Sequence, residues 1–94
     1  MSVTLIATMK IEDKEMLGQY REKAGSALAK HGGSVIAAGP ISRTLEGAQL
    51  GADTAAILSF PDIESSDNWI NDPELQPIHA MRNKAGKSTV TLIG

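Results

Sequence analysis

The segment from residue 69 to residue 82 concentrates the side chains of this sequence that could do chemistry. It holds the one tryptophan, Trp69, one of the two histidines, His79, and Arg82. His79 and Arg82 are three residues apart, so a helix would place them on the same face. Arg82 would bind an anionic group through its planar fork, His79 would titrate near neutral pH or ligate a metal-bearing cofactor, and Trp69 would supply a flat stacking wall. We therefore predict a ligand pocket walled by these three residues.

Trp69 also has a plainer interpretation, and three further residues are weaker candidates. The chain has one Trp, one Tyr and one Phe, so its core is short of large side chains, and a tryptophan is more often used for packing than for chemistry. Tyr20, Arg43 and Glu46 are expected to contribute to the same pocket. Glu46 could equally pair with Arg43 or shape the turn that follows it, and the sequence leaves that choice open.

A histidine and a group of acids raise the question of metal binding. His31 stands where a helix is expected to end, and a cation there is stabilised by about 0.3–1 kcal/mol through the helix dipole. A run of acids that no base interrupts falls at two expected helix starts, where carboxylates cap free N–H groups: Asp62, Glu64, Asp67, Asp72 and Glu74. We predict no metal site and no resident cofactor. The sequence also lacks a Gly-x-Ser-x-Gly elbow, a Walker loop and a His-Glu-x-x-His motif, which disfavours hydrolase and nucleotide chemistry.

Alternating and helical hydropathy patterns predict the elements that would position these residues. The predicted order is a strand at 2–11, a helix at about 13–31, a strand from 34 that bends at Gly39-Pro40 and continues through 46, and a hairpin loop at 47–51. A strand at 55–60 follows, then a helix that begins at Asp62, is interrupted at 71–73 and resumes from 75 until Gly86, and a last strand at 89–93. This is the βαββαβ order of an α+β, ferredoxin-like fold, with both helices on one face of a four-stranded antiparallel sheet.

Length and composition restrict the function further. The 94 residues predict a single domain spanning residues 1–94, and a chain of this size buries only about 60–65% of its unfolded surface. A net charge of −2 with nine dispersed Lys and Arg residues argues against a nucleic-acid partner. The absence of cysteine suits a reducing cytoplasm, and the interrupted apolar stretch at the N-terminus predicts neither a signal peptide nor a membrane span.

The predicted sheet has one face that no helix covers. The third strand is apolar at consecutive positions, and Ile6 lies opposite the main apolar stripe of the first strand, so this bare face is not polar as a solvated face should be. A second copy of the chain is the economical cover. We therefore predict a homodimer with the two sheets packed face to face.

Several short motifs resemble a known family. They are Ala-Leu-Ala-Lys-His-Gly-Gly at 27–33, Leu-Glu-Gly at 45–47, Phe-Pro at 60–61, Trp69, Asp-Pro-Glu at 72–74 and Arg82. Together they resemble the bacterial domain-of-unknown-function family thirteen-thirty, in the dimeric α/β-barrel superfamily, over nearly the whole chain. The resemblance implies a ferredoxin-like protomer and a sheet-to-sheet homodimer.

The resemblance assigns no chemistry. Three functions stay open, and the sequence does not decide whether the protein is an enzyme. We expect a small homodimeric protein that binds a small organic ligand between helices and sheet. The alternative is a cofactor-independent or haem-dependent monooxygenase-like enzyme of the same superfamily, and a purely structural or interaction dimer is a third possibility. Haem-degrading members of the superfamily carry a Trp and a haem-ligating His ten residues apart, as Trp69 and His79 are, but they also carry an Asn on the first strand, where this chain has Ala7-Thr8-Met9.

Overall fold

The computed structural model describes residues 2–94 and shows an α+β fold with a four-stranded antiparallel sheet. The elements are β1 (Val3–Ile11), α1 (Lys14–Lys30), β2 (Ser34–Pro40), β3 (Thr54–Phe60), α2 (Ile63–Asn71), a 3-10 turn (Pro73–Leu75), α3 (Gln76–Ala85) and β4 (Gly86–Leu92). The strand order is β2-β3-β1-β4, and every neighbouring pair is antiparallel. The predicted ferredoxin-like arrangement is confirmed, with the second helical segment divided into α2, the 3-10 turn and α3.

The helix ends follow the capping signals in the sequence. The Asp13 carboxylate accepts a hydrogen bond from the Met16 N–H at 3.0 Å and starts α1, and the Asp62 carboxylate accepts from the Ser65 N–H at 2.7 Å and starts α2. After α1 the chain turns at Gly32, whose φ of +75° suits glycine. Both predicted helix starts are therefore confirmed.

The segment after β2 differs from the prediction. Residues 41–46 were expected to extend the strand, but β2 ends at Pro40 and residues 41–53 are irregular. Alternating polarity alone cannot make a strand, because the backbone also needs a neighbour for its hydrogen bonds. Beyond Ile41 no neighbour is available, since the returning chain contains Gly47 and Gly51 at φ of +85° and +71° and joins the sheet only at Thr54. We call residues 41–53 the arm.

The last strand begins three residues earlier than predicted. Gly86 was expected only to close the helix, but it both ends α3 and opens β4, opposite Ile11. Its Cα lies so close to β1 that a Cβ would collide with the Lys10 carbonyl oxygen. A glycine is needed at this point because the chain passes from α3 into β4 without a connecting loop.

The helices cover one face of the sheet, and the core lies between them. The main buried cluster draws on both layers: Val3, Leu5, Ala27, Leu28, Leu58, Phe60, Trp69 and Leu75. On the opposite face, Ile6 pairs with Ile57, and both side chains are only half-buried. Within residues 2–94 no helix is long and apolar enough to cross a membrane.

Candidate ligand-binding site

A cavity of about 370 Å³ lies between α1 and the helix-facing side of the sheet. Its α1 wall includes Leu17, Tyr20 and Leu28, while Trp69 of α2 and Arg82 of α3 contribute to the same enclosure. A volume of this size is within the range of pockets that hold small organic molecules.

The cavity exists because small side chains stand where a core would normally hold large ones. Ala56 on β3 pairs with Ala38 on β2 and with Ala7 on β1, so three alanines form one row across the sheet, and all three line the cavity. Across the cavity from this alanine row, α1 presents Ala24 and Gly25. Methyl groups in place of leucines leave unfilled space between the two layers.

Arg82 places a buried charge in the wall of this apolar cavity. The residue is 7% exposed, and its guanidinium lies 5.8 Å from the centre of the Tyr20 ring and 5.7 Å from that of Trp69. Its Nη1 donates to His79 Nδ1 at 2.9 Å and lies 3.5 Å from the Tyr20 hydroxyl, whereas Nε has no hydrogen-bond partner. Among residues 2–94, the ion pairs do not include Arg82. A guanidinium this deeply buried is expected to have a counter-charge.

His79 lies behind Arg82 and holds it in place. The residue is 5% exposed, and its Nε2 lies 3.0 Å from the Trp69 carbonyl oxygen. Because a carbonyl oxygen only accepts, Nε2 carries the proton and Nδ1 is left to accept from Arg82. Burial lowers the pKa of His79 below its usual range, and the positive charge of Arg82 adds to the effect. His79 is therefore a neutral acceptor that orients the guanidinium.

Trp69 belongs both to the core and to the cavity wall. It is 2% exposed, its ring lies 5.4 Å from that of Phe60, and it meets His79 edge-on at 4.9 Å. Its indole N–H has no hydrogen-bond partner among the described residues. The packing and the pocket interpretations of this tryptophan are thus compatible, because opposite parts of one large ring can serve each of them.

The family of the chain follows from comparison with known sequences. The model of a domain of unknown function, DUF1330, matches residues 2–94. The chain belongs to the DUF1330 family. No curated protein matches it significantly.

Solved structures with the same fold include proteins with and without a known activity. RPA0582 of Rhodopseudomonas palustris, a protein of unknown function, is 18% identical, with 98% of this chain and 80% of that one covered and a TM-score of 0.80. A dimeric ferredoxin-like protein of unknown function from Jannaschia sp. is 13% identical, with 100% and 99% covered and a TM-score of 0.78. SnoaB of Streptomyces nogalater, a cofactor-independent oxygenase, is 11% identical, with 99% and 91% covered and a TM-score of 0.73. At such identities the likeness shows the fold and not a shared activity.

The structure brings together only part of the residue set predicted for this DUF1330 chain. Trp69, Arg82 and Tyr20 line the cavity. His79 does not line it, because both of its ring nitrogens face protein groups. Arg43 and Glu46 lie on the exposed arm and outside the cavity lining. They were expected near the pocket as parts of a strand and its hairpin, and that strand does not form.

No local pattern in the sequence predicted the alanine row. Each alanine lies in a different strand, and the pairing register decides that they meet. One feature of the sequence could have indicated the cavity: on one face of β1, Ala7 lies between the large side chains Leu5 and Met9. A small residue within an apolar stripe is where space can open above a sheet.

Haem does not fit the residues of this site. A haem-ligating histidine needs a free ring nitrogen facing the cofactor. In this chain His79 uses Nε2 for the Trp69 carbonyl and Nδ1 for Arg82. The ten-residue separation of Trp69 and His79 reflects a structural contact, the hydrogen bond between the backbone of one and the ring of the other.

His31 and Asp72 form a separate polar cluster that joins the end of α1 to the 3-10 turn. Asp72 Oδ2 lies 2.7 Å from Lys30 Nζ and 2.8 Å from His31 Nε2, and Oδ1 accepts from the Glu74 N–H at 2.9 Å. These bonds, led by that from Lys30, hold the pKa of Asp72 below its usual range. Residues 2–94 contain no group of three or more side chains arranged to bind a metal. The contacts of Asp72 thus have a structural explanation.

Proposed function

We propose that this protein is a homodimeric binding protein for a small apolar molecule that carries one carboxylate, held in the cavity beneath α1. The single observation that carries the proposal is the buried Arg82 guanidinium, which forms no ion pair with any of residues 2–94. An apolar enclosure would accept the body of the ligand, and Arg82 would accept its charged end. His79 would not take part in proton transfer, because burial keeps the ring neutral and both of its nitrogens are bound to protein groups.

The charge of the ligand is tested by paired compounds. A thermal-shift series would compare benzoate and short branched carboxylates with the corresponding amides. A ligand at about 100 times its dissociation constant stabilises a fold by about 2.7 kcal/mol, so we expect carboxylates to raise the melting temperature and amides to leave it unchanged. Haemin and small quinols belong in the same screen.

Variants at two cationic residues of α3 locate the binding site. Arg82→Gln removes the charge and should abolish the carboxylate response. Lys84→Gln removes an equal charge from the exposed side of α3, outside the cavity and the arm, and should leave the response intact. Equal shifts with carboxylates and amides would contradict the role of Arg82, and no shift with any compound would favour a purely structural dimer.

The cavity itself is tested by filling it. Ala56→Leu adds three carbons at the centre of the alanine row and should block every ligand of the series. If Ala56→Leu still binds carboxylates as tightly as the wild type, the ligand lies elsewhere.

The dimer is supported by the uncovered sheet face and by the dimeric state of the Jannaschia protein of the same fold. We propose a reducing cytoplasm as the location, because the sequence has no cysteine that could form a disulfide in an oxidising compartment.

A cofactor-independent oxygenase is the second candidate, and one observation favours it. Most of the residues that line the cavity are aliphatic or aromatic, and such walls limit the contact of water with a reactive intermediate. Oxygen uptake in the presence of a small quinol, measured with an electrode and lost on Ala56→Leu, would establish this activity. The absence of uptake with a quinol that binds would leave the binding protein.

A further inference from the structure

The arm projects from the body of the molecule with its apolar side chains uncovered. Every residue from 42 to 51 is exposed, and Leu45 and Leu50 are 84% and 73% exposed. Among the described residues, no hydrogen bond involves residues 42–52. Two leucines on one short segment expose a large apolar area that a monomer would leave in water.

The base of the arm is held firmly, in contrast to the part that projects. The Ile41 N–H donates to the Asp53 carbonyl at 2.9 Å, and the Asp53 N–H donates to the Met9 carbonyl at 2.8 Å. The Asp53 carboxylate accepts from the Ile11 N–H at 2.8 Å. These bonds fix the direction in which the arm leaves the sheet. Leu45 and Leu50 are therefore exposed at a defined position relative to the sheet.

The cavity beneath α1 is open on one side, between α1 and the free edge of β2. Four residues that line the cavity are exposed, and we call them the mouth: Arg21, Gly25, Val35 and Ala38. Next to the mouth, Ile36 lies at a register irregularity of β2 and is also exposed. No side chain between Ser34 and Pro40 carries a charge, so nothing charged on this sheet edge opposes contact with apolar side chains.

We propose that the arm of one subunit packs over the mouth of the partner's cavity, with Leu45 and Leu50 on the apolar edge of β2. This inference rests on the homodimer of the proposed function and adds that each ligand site is completed by the other subunit. Residues 42–52 carry Arg43 and Glu46 and are neutral together, and Glu46 is the arm residue that can pair with Arg21, the charged residue of the mouth. Two equivalent arms and two equivalent mouths make a closed, isologous pair.

The length of the arm is sufficient for this contact. A hairpin-like excursion of 11 residues, 42–52, reaches about 15 Å from its base, because each extended residue spans about 3.3 Å. Facing sheets lie about 10 Å apart. The arm can therefore pass the edge of the partner's sheet and reach the mouth behind it.

Disulfide trapping tests the contact in a chain that has no cysteine of its own. One preparation carries Glu46→Cys and a second carries Arg21→Cys. Mixed and mildly oxidised, they should form a covalent dimer. The matched control pairs Arg21→Cys with Ile63→Cys, an equally accessible position on α2, and should give little product. Adding Leu45→Ser and Leu50→Ser to the Glu46→Cys chain should lower the yield and weaken the dimer by at least about tenfold per leucine.

The outcomes separate the partner's arm from other occupants of the mouth. If the double variant carrying Glu46→Cys and Arg21→Cys closes within one chain at high dilution, the arm covers its own cavity and the assignment to the partner is overturned. Trapping no greater than that of the Ile63→Cys control overturns it as well.

If trapping fails while carboxylates still stabilise the protein through Arg82, the cavity proposal stands without the arm. If trapping succeeds while Arg82→Gln has no effect on the carboxylate response, the arm stands and the cavity proposal falls.

Discussion

At the scale of single residues, Arg82 and His79 form a unit in which each determines the state of the other. Arg82 needs an acceptor for Nη1, and His79 Nδ1 provides it at 2.9 Å. The Trp69 carbonyl fixes the tautomer that makes Nδ1 an acceptor. Protonation of His79 would remove that acceptor and place two positive charges side by side. With Nη1 bound to neutral His79, the other N–H groups of Arg82 remain for an anion.

We expect the free energy of unfolding to fall as the pH drops below about 6.5, the ordinary pKa of histidine. The pKa of His79 is lowered in the folded protein, so the unfolded chain binds more protons in the window between the two values. Stability therefore rises with pH across that window and is lost on acidification, by about 1.4 kcal/mol for each unit of lowering. Urea unfolding at about pH 7.5 and about pH 5.5, in the wild type and in His79→Gln, measures the effect.

The second histidine provides the control for this measurement. His31→Gln should retain the loss of stability on acidification, and His79→Gln should lose most of it. The opposite result would show that the burial of His79 does not set the dependence.

At the scale of the elements, the passage from α1 into β2 depends on two glycines used for different reasons. Gly32 supplies the positive φ that ends the helix, and Gly33 supplies space. A Cβ at Gly33 would lie 2.6 Å from the Phe60 ring, one of the most deeply buried side chains of the core. The distance between the end of α1 and the sheet is therefore set by the contact of Gly33 with Phe60.

Substitution of glycine by alanine should have opposite effects at two positions. Gly33→Ala should lower the free energy of unfolding by about 1–3 kcal/mol, because the Phe60 ring must move. Gly18→Ala, on α1 with nothing within 4 Å of its new methyl group, should raise it by about 0.5–1 kcal/mol. Chemical unfolding of both variants checks the pair, and a loss at Gly18 equal to that at Gly33 would show that the Phe60 contact is not the cause.

At the scale of the whole molecule, the protein is a two-layer plate with one layer of helices and an uncovered sheet. Its extents are 33 × 31 × 17 Å, and the thin dimension corresponds to a single sheet with helices on one side. Ile6 and Ile57 lie next to each other in the middle of the uncovered face, together with Ala37 and Ala55. An apolar centre of this kind favours the packing of a second sheet upon it.

We expect Ile57→Asp to dissociate the dimer, because it would place an unpaired charge in the centre of the sheet-to-sheet contact. Light scattering at micromolar concentration should give twice the mass of the chain for the wild type and a lower mass, or unfolded protein, for the variant. Ile63→Asp, on the exposed side of α2, is the control and should remain dimeric. A wild-type protein that is monomeric at this concentration would contradict the dimer.

The sequence by itself determined most of the architecture. Asp13 and Asp62 mark the helix starts, and residues 71–73 mark the interruption between α2 and α3, because capping and proline act within a few residues of chain. The period-two pattern of β1 and the continuous apolar run of β3 likewise need no partner to be recognised. These local signals, taken in order, were enough for the ferredoxin-like fold.

Only the tertiary structure decided where the candidate site lies. The alanine row depends on the register of three strands, and the tautomer of His79 depends on a carbonyl ten residues away. The arm replaces a strand because no neighbouring backbone was available to residues 42–46. Each of these features is a relation between distant segments. Local sequence patterns carry no information about such relations, because burial, register and hydrogen-bond partners are fixed only when the chain packs.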